Sequence, residues 1–186
     1  MGVDLDPPFV AAARARAREL RVSHAVEFVE GDASGHVSPE PVDLASCCGA
    51  TWIGGGVTGT VRLLERSLRP GGIMLIGEPY WRRVPEDDAA VAGGAASSRE
   101  DFLPLWDLVG VFREAGYDPV EMVPSDQDDW DRYVAAHWPS MRRWLDAHPD
   151  DELAARVRHE PDTGPERYLR YQREYPGWGV FALMRR

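Results

Sequence analysis

Residues 58–76 read TGTVRLLERSLRPGGIMLI and contain a helix, a turn and a strand in immediate succession. Apolar residues at helical spacing predict an amphipathic helix over Thr58–Leu68. Arg69-Pro70-Gly71-Gly72 ends that helix and forms a tight turn. The run Ile73–Ile76 is apolar throughout, as expected for a strand covered on both faces. A helix that leads into such a strand is typical of a parallel α/β sheet.

The elements on either side repeat this order. Towards the N-terminus, the sequence predicts the end of a strand over Gly2–Asp6, a helix over Phe9–Leu20, and strands over Val26–Val29 and Val42–Cys48. Towards the C-terminus, it predicts a helix over Asp101–Ala115 and strands over Tyr117–Val123 and Trp178–Met184. The alternation predicts an α/β fold, a mostly parallel sheet with helices on both faces. We expect the last strand to run antiparallel, at or near an edge.

The first helix has recognisable start signals. Asp6 is suited to cap it, and Pro7-Pro8 pre-set the first turn. Phe9, Ala13 and Leu20 are spaced to share one face of this helix.

The chain has 186 residues, the size of one domain, and we expect residues 1–186 to form a single unit. Residues 85–98 are rich in Ala, Gly and Ser, and we interpret them as a mobile surface loop. Residues 125–177 are polar and aromatic, and we interpret them as a helical cap insertion before the last strand, clearest over Asp128–His148. Its aromatic stripe predicts core packing, and a lid over the ligand crevice is a further hypothesis.

Composition excludes several function classes. The 31 acidic residues outnumber the 21 basic ones, which argues against a nucleic-acid partner because such binders need a basic face. No apolar run approaches the roughly 20 residues of a membrane-spanning helix, and the start lacks a signal peptide's basic and apolar regions. The adjacent Cys47 and Cys48 form no long-range disulfide framework, which suits a reducing compartment. We expect a cytoplasmic protein without nucleic-acid or membrane partners.

All 21 basic residues are arginine, so the chain contains no lysine. This excludes a P-loop lysine, a Schiff-base lysine and the Tyr-Lys pair of short-chain dehydrogenases. The five histidines show no paired zinc-ligand spacing, so we expect no metal.

Acidic residues lie where the first two predicted strands end. In open parallel sheets, ligands bind beyond the carboxyl ends of the strands. Asp4 is placed there to accept hydrogen bonds from both hydroxyls of a ribose. Asp32 is placed to accept from an adenine amino group, with the N–H of Ala33 free to meet a ring nitrogen. The alternative role for Asp4 is a helix cap, for which Asp6 is better placed.

These segments resemble successive motifs of class I S-adenosylmethionine-dependent methyltransferases. The resemblance covers residues 1 to about 124 and the last strand. It rests on the segments GVDLD (Gly2–Asp6), VEFVEGDA (Val26–Ala33), VDLAS (Val42–Ser46) and LRPGG (Leu68–Gly72). It implies a Rossmann-like fold, the cofactor S-adenosyl-L-methionine and methyl transfer to an acceptor, which we expect to be a small molecule.

The resemblance also implies roles for particular residues. Asp4 and the neighbouring Leu5 hold the cofactor ribose, and Asp32 and Ala33 hold the adenine. Cys48 and Gly49 line the methionine end of the cofactor.

One departure from the family pattern concerns the first strand and its Gly-rich turn, which contacts the methionine portion of the cofactor. This chain starts after that turn, and Gly54-Gly55-Gly56 is no substitute because it follows the third strand. In the family the missing strand is central and separates Gly2–Leu5 from Val42–Cys47. We therefore expect unpaired backbone groups at this position, each costing about 1–3 kcal/mol if buried, and weakened cofactor binding or folding.

Candidate catalytic residues lie beyond the third and fourth strands. Glu78 is suited to accept a substrate proton, with a solvated acid or loop anchor as the alternative. Tyr80 is a second catalytic candidate, and the rings of Trp52, Trp81 and Trp130 are candidates for contact with the sulfonium or the acceptor. Ordinary packing is the alternative for all four aromatics. The two cysteines are more typical of small buried hydrophobes than of nucleophiles.

Two other functions remain open at this point. A strand-end acid also suits the ribose of NAD, although the missing Tyr-Lys pair and the Leu68–Gly72 turn argue against a nicotinamide-dependent oxidoreductase. The other alternative is an inactive fragment or remnant with the shape of a methyltransferase.

Overall fold

The computed structural model describes all 186 residues, which form six β-strands and seven α-helices. The strands are β1 (Gly2–Asp4), β2 (Phe28–Glu30), β3 (Val42–Cys48), β4 (Leu68–Trp81), β5 (Tyr117–Pro124) and β6 (Pro176–Arg185). The helices are α1 (Pro7–Glu19), α2 (Val57–Glu65), α3 (Asp88–Gly93), α4 (Leu105–Glu114), α5 (Gln127–Ala135), α6 (His137–Ala147) and α7 (Ala154–Arg167). Short 3-10 turns lie at Ala33–Gly35, Thr51–Gly54 and Arg99–Asp101, and a π-helical turn at Tyr168–Gln172. None of the helices is both long and apolar enough to span a bilayer.

The strands form two sheets. In the smaller sheet β1 and β2 are parallel, with Val3 opposite Val29. In the larger sheet the order is β3-β4-β6-β5; β3 and β4 pair in parallel, β5 runs in the same direction, and β6 alone is reversed. Strand β6 runs antiparallel between β4 and the edge strand β5, which confirms the direction predicted for the last strand. No backbone ladder joins the two sheets.

The core lies on one face of the larger sheet, beneath α2 and α4. Register places Met74 opposite Leu183 and Ile76 opposite Phe181, so these side chains share that face. All four are fully buried, and Phe112 of α4 packs on Phe181 with ring centroids 5.3 Å apart. Aligned apolar side chains on two adjacent strands thus provide the surface on which both helices pack.

The opposite face of the larger sheet is less well covered, and we call it the open face. It is formed by alternate residues of β3, β4 and β6, namely Leu44, Ile73, Leu75, Val180, Ala182 and Met184. Leu44 is 50% exposed and the other five are half-buried. Apolar side chains on this face of the sheet are therefore partly in contact with water.

Helix α1 corrects two expectations. It buries Val10 and Ala17, while Phe9 is 65% exposed and Leu20 is also exposed, so the predicted packing face was wrong. The seven-residue spacing of Val10 and Ala17 places these two on the side that faces β1 and β2. Asp6 occupies the cap position without a side-chain cap hydrogen bond, and its own N–H donates instead to Oδ1 of Asp4 at 2.8 Å.

Residues 85–98 are not the mobile loop that their composition predicts. Helix α3 forms within them, and its Ala90 and Val91 are buried. The Asp87 carboxylate caps this helix by accepting the Ala90 N–H at 2.8 Å. A Cβ at Gly93 would lie 2.2 Å from the Tyr171 ring, so the small residues here permit close packing.

The 125–177 insertion is helical, as predicted, and the Asp128–His148 range lies in two helices, α5 and α6. Its centre is Asp131, whose carboxylate accepts hydrogen bonds from the Tyr168 hydroxyl, from Gln127 at 2.9 Å and from Arg173 at 3.1 Å. Gln127 in turn accepts from Arg82, just beyond β4, at 2.8 Å. This polar network ties the insertion to the carboxyl end of β4.

The turn predicted at Arg69–Gly72 lies within β4, which already begins at Leu68. Gly71 has φ +77° there, a conformation that favours glycine, and the β3–β4 register shifts beside it, between Val42 and Leu44. The turn is therefore a local distortion at the start of a long strand.

The buried aromatic pair in the core gives a direct test of the fold. We expect Phe181→Ala to lower the free energy of unfolding by about 3–5 kcal/mol, because it removes a fully buried ring. Trp106→Ala is the matched control: Trp106 is 64% exposed, and we expect a change within about 0.5 kcal/mol. Urea denaturation measures both, and similar losses in the two variants would contradict the assigned core.

The Asp131 network predicts a pH-dependent insertion. Hydrogen bonds from Tyr168, Gln127 and Arg173 lower the pKa of Asp131 to about 2. Its stabilising contribution is therefore present above the ordinary pKa of 3.8 and lost as the pH falls through about 2. We expect Asp131→Asn to unfold at lower urea concentration at pH 6, and this difference to narrow as the pH approaches 2.

Tryptophan fluorescence follows this transition, because Trp130, Trp138 and Trp144 all lie in the insertion. Asp150→Asn, at an exposed position outside the network, is the control. A difference between Asp131→Asn and the unsubstituted protein that does not change with pH would contradict the assignment.

Candidate functional site

A carboxylate and two threonines meet where β3 and β4 end. The Thr51 hydroxyl lies 3.1 Å from Oε1 and 3.0 Å from Oε2 of Glu78, and donates to that carboxylate. The hydroxyl of Thr60, on α2, donates to the Thr51 carbonyl at 2.7 Å. Thr60 is fully buried and thereby anchors the turn that carries Thr51.

Strand alternation explains the environment of Glu78. It shares a face of β4 with Met74, Ile76 and Tyr80, which are all buried, so its carboxylate lies in line with the core. Burial raises the pKa of Glu78, and the Thr51 hydrogen bond offsets part of that rise. Glu78 is in no ion pair. A half-buried carboxylate without a cationic partner has a raised affinity for a proton, as a general base requires.

Glycines let the backbones approach closely around this carboxylate. Gly49 has φ +71°, and a Cβ there would lie 3.1 Å from the Trp178 ring. A Cβ at Gly59 would lie 1.9 Å from the Gly54 carbonyl oxygen, so α2 starts directly against the turn after β3. The Gly54–Gly56 run is thus a packing and turn element.

The two strand-end acids lie at the carboxyl ends of β1 and β2. Oδ1 of Asp4 accepts the Asp6 N–H, and its Oδ2 accepts no protein hydrogen bond; the next residue, Leu5, is exposed. The Asp32 carboxylate accepts the backbone N–H and the hydroxyl of Ser34, each at 2.8 Å. The backbone hydrogen bond from Ser34 is the main cause that lowers the pKa of Asp32. Both acids are exposed, and at least the Oδ2 of Asp4 is open to a ligand.

The predicted cofactor residues lie at one edge of the fold. Asp4 and Leu5 follow β1, Asp32 and Ala33 follow β2, and Cys48 and Gly49 close β3. The turns after β2 and β3 lie against each other, so these strand ends point the same way. Glu78 lies at the neighbouring end of β4, which brings the predicted catalytic acid to this edge.

The aromatic candidates separate into two groups. Trp52 is 74% exposed, on the turn after β3, and its ring is available to a ligand. Trp81 is only 1% exposed, and its indole N–H donates to the Arg99 carbonyl at 2.8 Å. The predicted substrate contact of Trp81 is therefore wrong, because its ring packs in the core. Tyr80 is buried against Gly177, and Trp130 stacks on Tyr133 with centroids 5.6 Å apart. Packing is therefore the better interpretation for Tyr80 and Trp130 as well.

Three residues of the site were missed in the sequence. Thr51 could have been found as the first hydroxyl beyond a strand end, the place where ligand-binding groups collect. No local sequence pattern identified Gln127 or Trp178 as residues of the site. Their contacts form only when the insertion and the last strand pack against β4. Cys47 is buried and burial raises the pKa of its thiol, which agrees with a packing role. No group of three or more metal-ligating side chains is present.

Comparison with known proteins adds the family. Residues 1–76 match the model of a methyltransferase domain. An uncharacterized Escherichia coli protein, YjhP, is 55% identical over this whole chain, which covers 75% of it. A SAM-dependent methyltransferase from Geobacter sulfurreducens, solved with S-adenosyl-L-homocysteine, is 58% identical with a TM-score of 0.95; this chain aligns along its full length and covers 74% of that chain. The chain belongs to the class I S-adenosylmethionine-dependent methyltransferases.

A second solved structure agrees. The SAM-dependent methyltransferase from Thiobacillus denitrificans, also with S-adenosyl-L-homocysteine, is 55% identical with a TM-score of 0.94, and this chain covers 75% of it. The Rossmann-like fold, the cofactor and the enzyme class expected from the sequence are confirmed. The residue roles stay predictions.

The environment of Glu78 predicts a pH-dependent effect on stability. Because burial raises its pKa, the protonated form stabilises the fold, and this stabilisation is lost as the pH rises through the folded-state pKa. We therefore expect Glu78→Gln to melt at a higher temperature than the unsubstituted protein at pH 7, and the two to converge near pH 4.

Calorimetry across this pH range measures the effect, with Glu121→Gln, at an exposed position on β5, as the control. A lower melting temperature for Glu78→Gln at pH 7 would show that the charged carboxylate is a structural anchor.

Proposed function

We propose that this methyltransferase acts on a small-molecule acceptor and that Glu78 accepts the proton that leaves the acceptor. The observation that carries the proposal is the half-buried Glu78 carboxylate, which accepts a hydrogen bond from Thr51 near the end of β4. Its burial and its lack of a cationic partner favour proton acceptance over a purely structural role.

The residues at this edge fit S-adenosylmethionine. Oδ2 of Asp4 has no protein partner and is suited to accept from the ribose hydroxyls, beside Leu5. Asp32 retains lone pairs for an adenine amino group, next to the Ala33 N–H. Cys48 lies opposite Gly77 in the β3–β4 ladder, next to Glu78, and we assign Cys48 and Gly49 to the methionine side. These assignments rest on strand-end position, exposure and unused hydrogen-bonding capacity.

The chemistry divides between cofactor and protein. S-adenosylmethionine, when bound, supplies a methyl group already activated on a sulfonium. This chain positions the acceptor, excludes water and removes a proton. The proton that leaves the acceptor nucleophile goes to a Glu78 oxygen, while Thr51 keeps the carboxylate oriented through its hydroxyl. The exposed ring of Trp52 is placed to cover the acceptor.

Size and charge support a small acceptor. The net charge of −10 repels the phosphate backbone of a nucleic acid. The insertion over 125–177 is tied to the end of β4 by the Arg82–Gln127 hydrogen bond, so it is positioned as a cap on the site within a single domain. A cap of this size suits an acceptor that can be enclosed.

Calorimetric titration tests the proposed cofactor residues. We expect S-adenosylhomocysteine to bind and NAD not to bind. Loss of a hydrogen-bonding carboxylate costs about 1.5–3 kcal/mol, so we expect Asp4→Ala to weaken the binding by about 10- to 100-fold. Asp150→Ala, at an exposed position far along the chain, is the matched control.

Three other results would count against the proposal. Binding of NAD alone would favour an oxidoreductase, and binding of neither ligand would favour an inactive remnant. Equal affinities in Asp4→Ala and the control would remove Asp4 from the site.

A further inference from the structure

The Glu78 carboxylate leaves most of its hydrogen-bonding capacity unused. An ionised carboxylate offers about four lone-pair positions to donors. The Thr51 hydroxyl lies 3.1 Å from one Glu78 oxygen and 3.0 Å from the other, but its single proton occupies only one of these positions at a time. No other side chain or backbone N–H donates to Glu78. A ligand that reaches this carboxylate therefore meets several free acceptor positions.

No cation of the protein neutralises this carboxylate. Glu78 is in none of the ion pairs, and the next arginine along the chain, Arg82, donates to Gln127 at 2.8 Å. Glu78 is half-buried, and an ionised carboxylate that is partly removed from water without a cation destabilises the fold. A cationic ligand bound here would supply the missing positive charge.

The ionisable side chains beside Glu78 stay neutral at pH 7. Burial raises the pKa of the Cys47 thiol on β3, and the nearby charge of Glu78 adds to that rise. Burial also raises the pKa of Tyr80, two residues further along β4. Thr51, on the turn after β3, and Thr60, on α2, do not titrate. Between about pH 4 and 8, Glu78 is thus the one group of this set that titrates.

Two further features favour a cationic ligand. Trp52 directly follows Thr51 on the turn after β3, and its ring is 74% exposed. The face of an indole ring attracts ammonium groups through its quadrupole. The net charge of −10 also produces a field that attracts cations to the protein and repels anions.

We propose that the methyl acceptor is an amine that binds as its ammonium, with N–H groups that donate to Glu78 and a charge that lies beside the Trp52 ring. This inference rests on the proposed function and names the class of its acceptor. A neutral alcohol would leave the carboxylate without a cationic partner. An acidic acceptor would place a second negative charge beside Glu78, which is unfavourable.

The proposed step balances in atoms and charge. An ammonium nitrogen has no lone pair, so one of its protons first moves to a Glu78 oxygen. The freed lone pair forms a bond to the methyl carbon of S-adenosylmethionine, while the carbon–sulfur bond breaks and its electron pair stays on sulfur. The products are the N-methylated ammonium, S-adenosylhomocysteine and protonated Glu78, which then releases its proton to water.

Three matched small molecules test the acceptor class. Benzylamine, benzyl alcohol and benzoate share one ring and differ in charge, and each is titrated calorimetrically into the 186-residue protein with S-adenosylhomocysteine present. At pH 7 we expect benzylamine to bind at least about tenfold more tightly than benzyl alcohol, a difference of about 1.4 kcal/mol, and benzoate to bind most weakly. We expect Glu78→Gln to remove the preference for the amine and Glu121→Gln, at an exposed position on β5, to retain it.

The pH dependence of binding separates a direct contact with Glu78 from a structural effect of its substitution. Because the ammonium binds the ionised carboxylate, we expect the affinity for benzylamine to rise as the pH rises through the pKa of Glu78. Thr51→Val removes the hydrogen bond that lowers this pKa, so we expect the rise to move to higher pH. We expect no such rise in Glu78→Gln.

Several results would overturn the amine assignment. These are equal affinities for benzylamine and benzyl alcohol, tighter binding of benzoate, a preference for the amine that Glu78→Gln retains, and methyl transfer to benzyl alcohol or benzoate in preference to benzylamine. Failure of all three compounds to bind to protein that binds S-adenosylhomocysteine would also overturn it. S-adenosylhomocysteine affinity is measured separately on the same samples. Its absence, with the preference for the amine intact, would contradict the proposed function and not the amine site.

Discussion

The antiparallel pairing of β4 with β6 is the constraint on which the rest of the structure depends. It runs without interruption from Ile73 opposite Met184 to Trp81 opposite Pro176. From Ile73 to Ile76, the pairing aligns the buried side chains against which α2 and α4 pack. The same register continues to Trp81, so Glu78 lies on the same face of β4 as the core residues. The pairing that makes the core therefore also determines where the carboxylate stands.

Burying an ionised carboxylate in such a position lowers the stability of the fold. Protein interiors penalise ionised groups, and Glu78 has a hydroxyl as its partner where a structural acid would normally have an arginine. The chain contains 21 arginines, and its ion pairs lie elsewhere, at the surface and in the insertion. Burial raises the pKa of Glu78 and no cationic neighbour counteracts it, which suits the acceptance of a proton from a substrate.

Much of the fold could be predicted from periodicity and turn residues. The apolar run Ile73–Ile76 and the alternating order of elements were sufficient for the α/β class and for the antiparallel last strand. The predictions were wrong in two places, where residue size or hydrophobicity alone was used to infer mobility or burial. The Ala- and Gly-rich segment at 85–98 suggested mobility, but these residues are small because Tyr171 packs against them. Phe9 suggested a buried face, although α1 packs through Val10 and Ala17.

The candidate site could be predicted only in part. Strand-end acids can be located from local sequence, which is why Asp4, Asp32 and Glu78 could be named as candidates before the structure was known. The partners Thr51 and Gln127 depend on how distant segments return to β4, and no local pattern shows this. The burial of Tyr80 and Trp81 also follows from the pairing of β4 with β6. From the sequence alone, this aromatic pair is equally compatible with a position at the surface of the site and with the core.

The contact of Gly93 with Tyr171 has a consequence for how this fold can diversify. The insertion packs on α3 partly at Gly93, which has no side chain and so lets the Tyr171 ring lie against the backbone. This contact depends on shape, whereas the Asp131 network depends on complementary polar groups, so side chains of α5–α7 outside both contacts can change while the insertion keeps its place. A segment of small residues whose composition resembles a linker is thus a packing surface, against which an insertion of variable sequence can be held in one position.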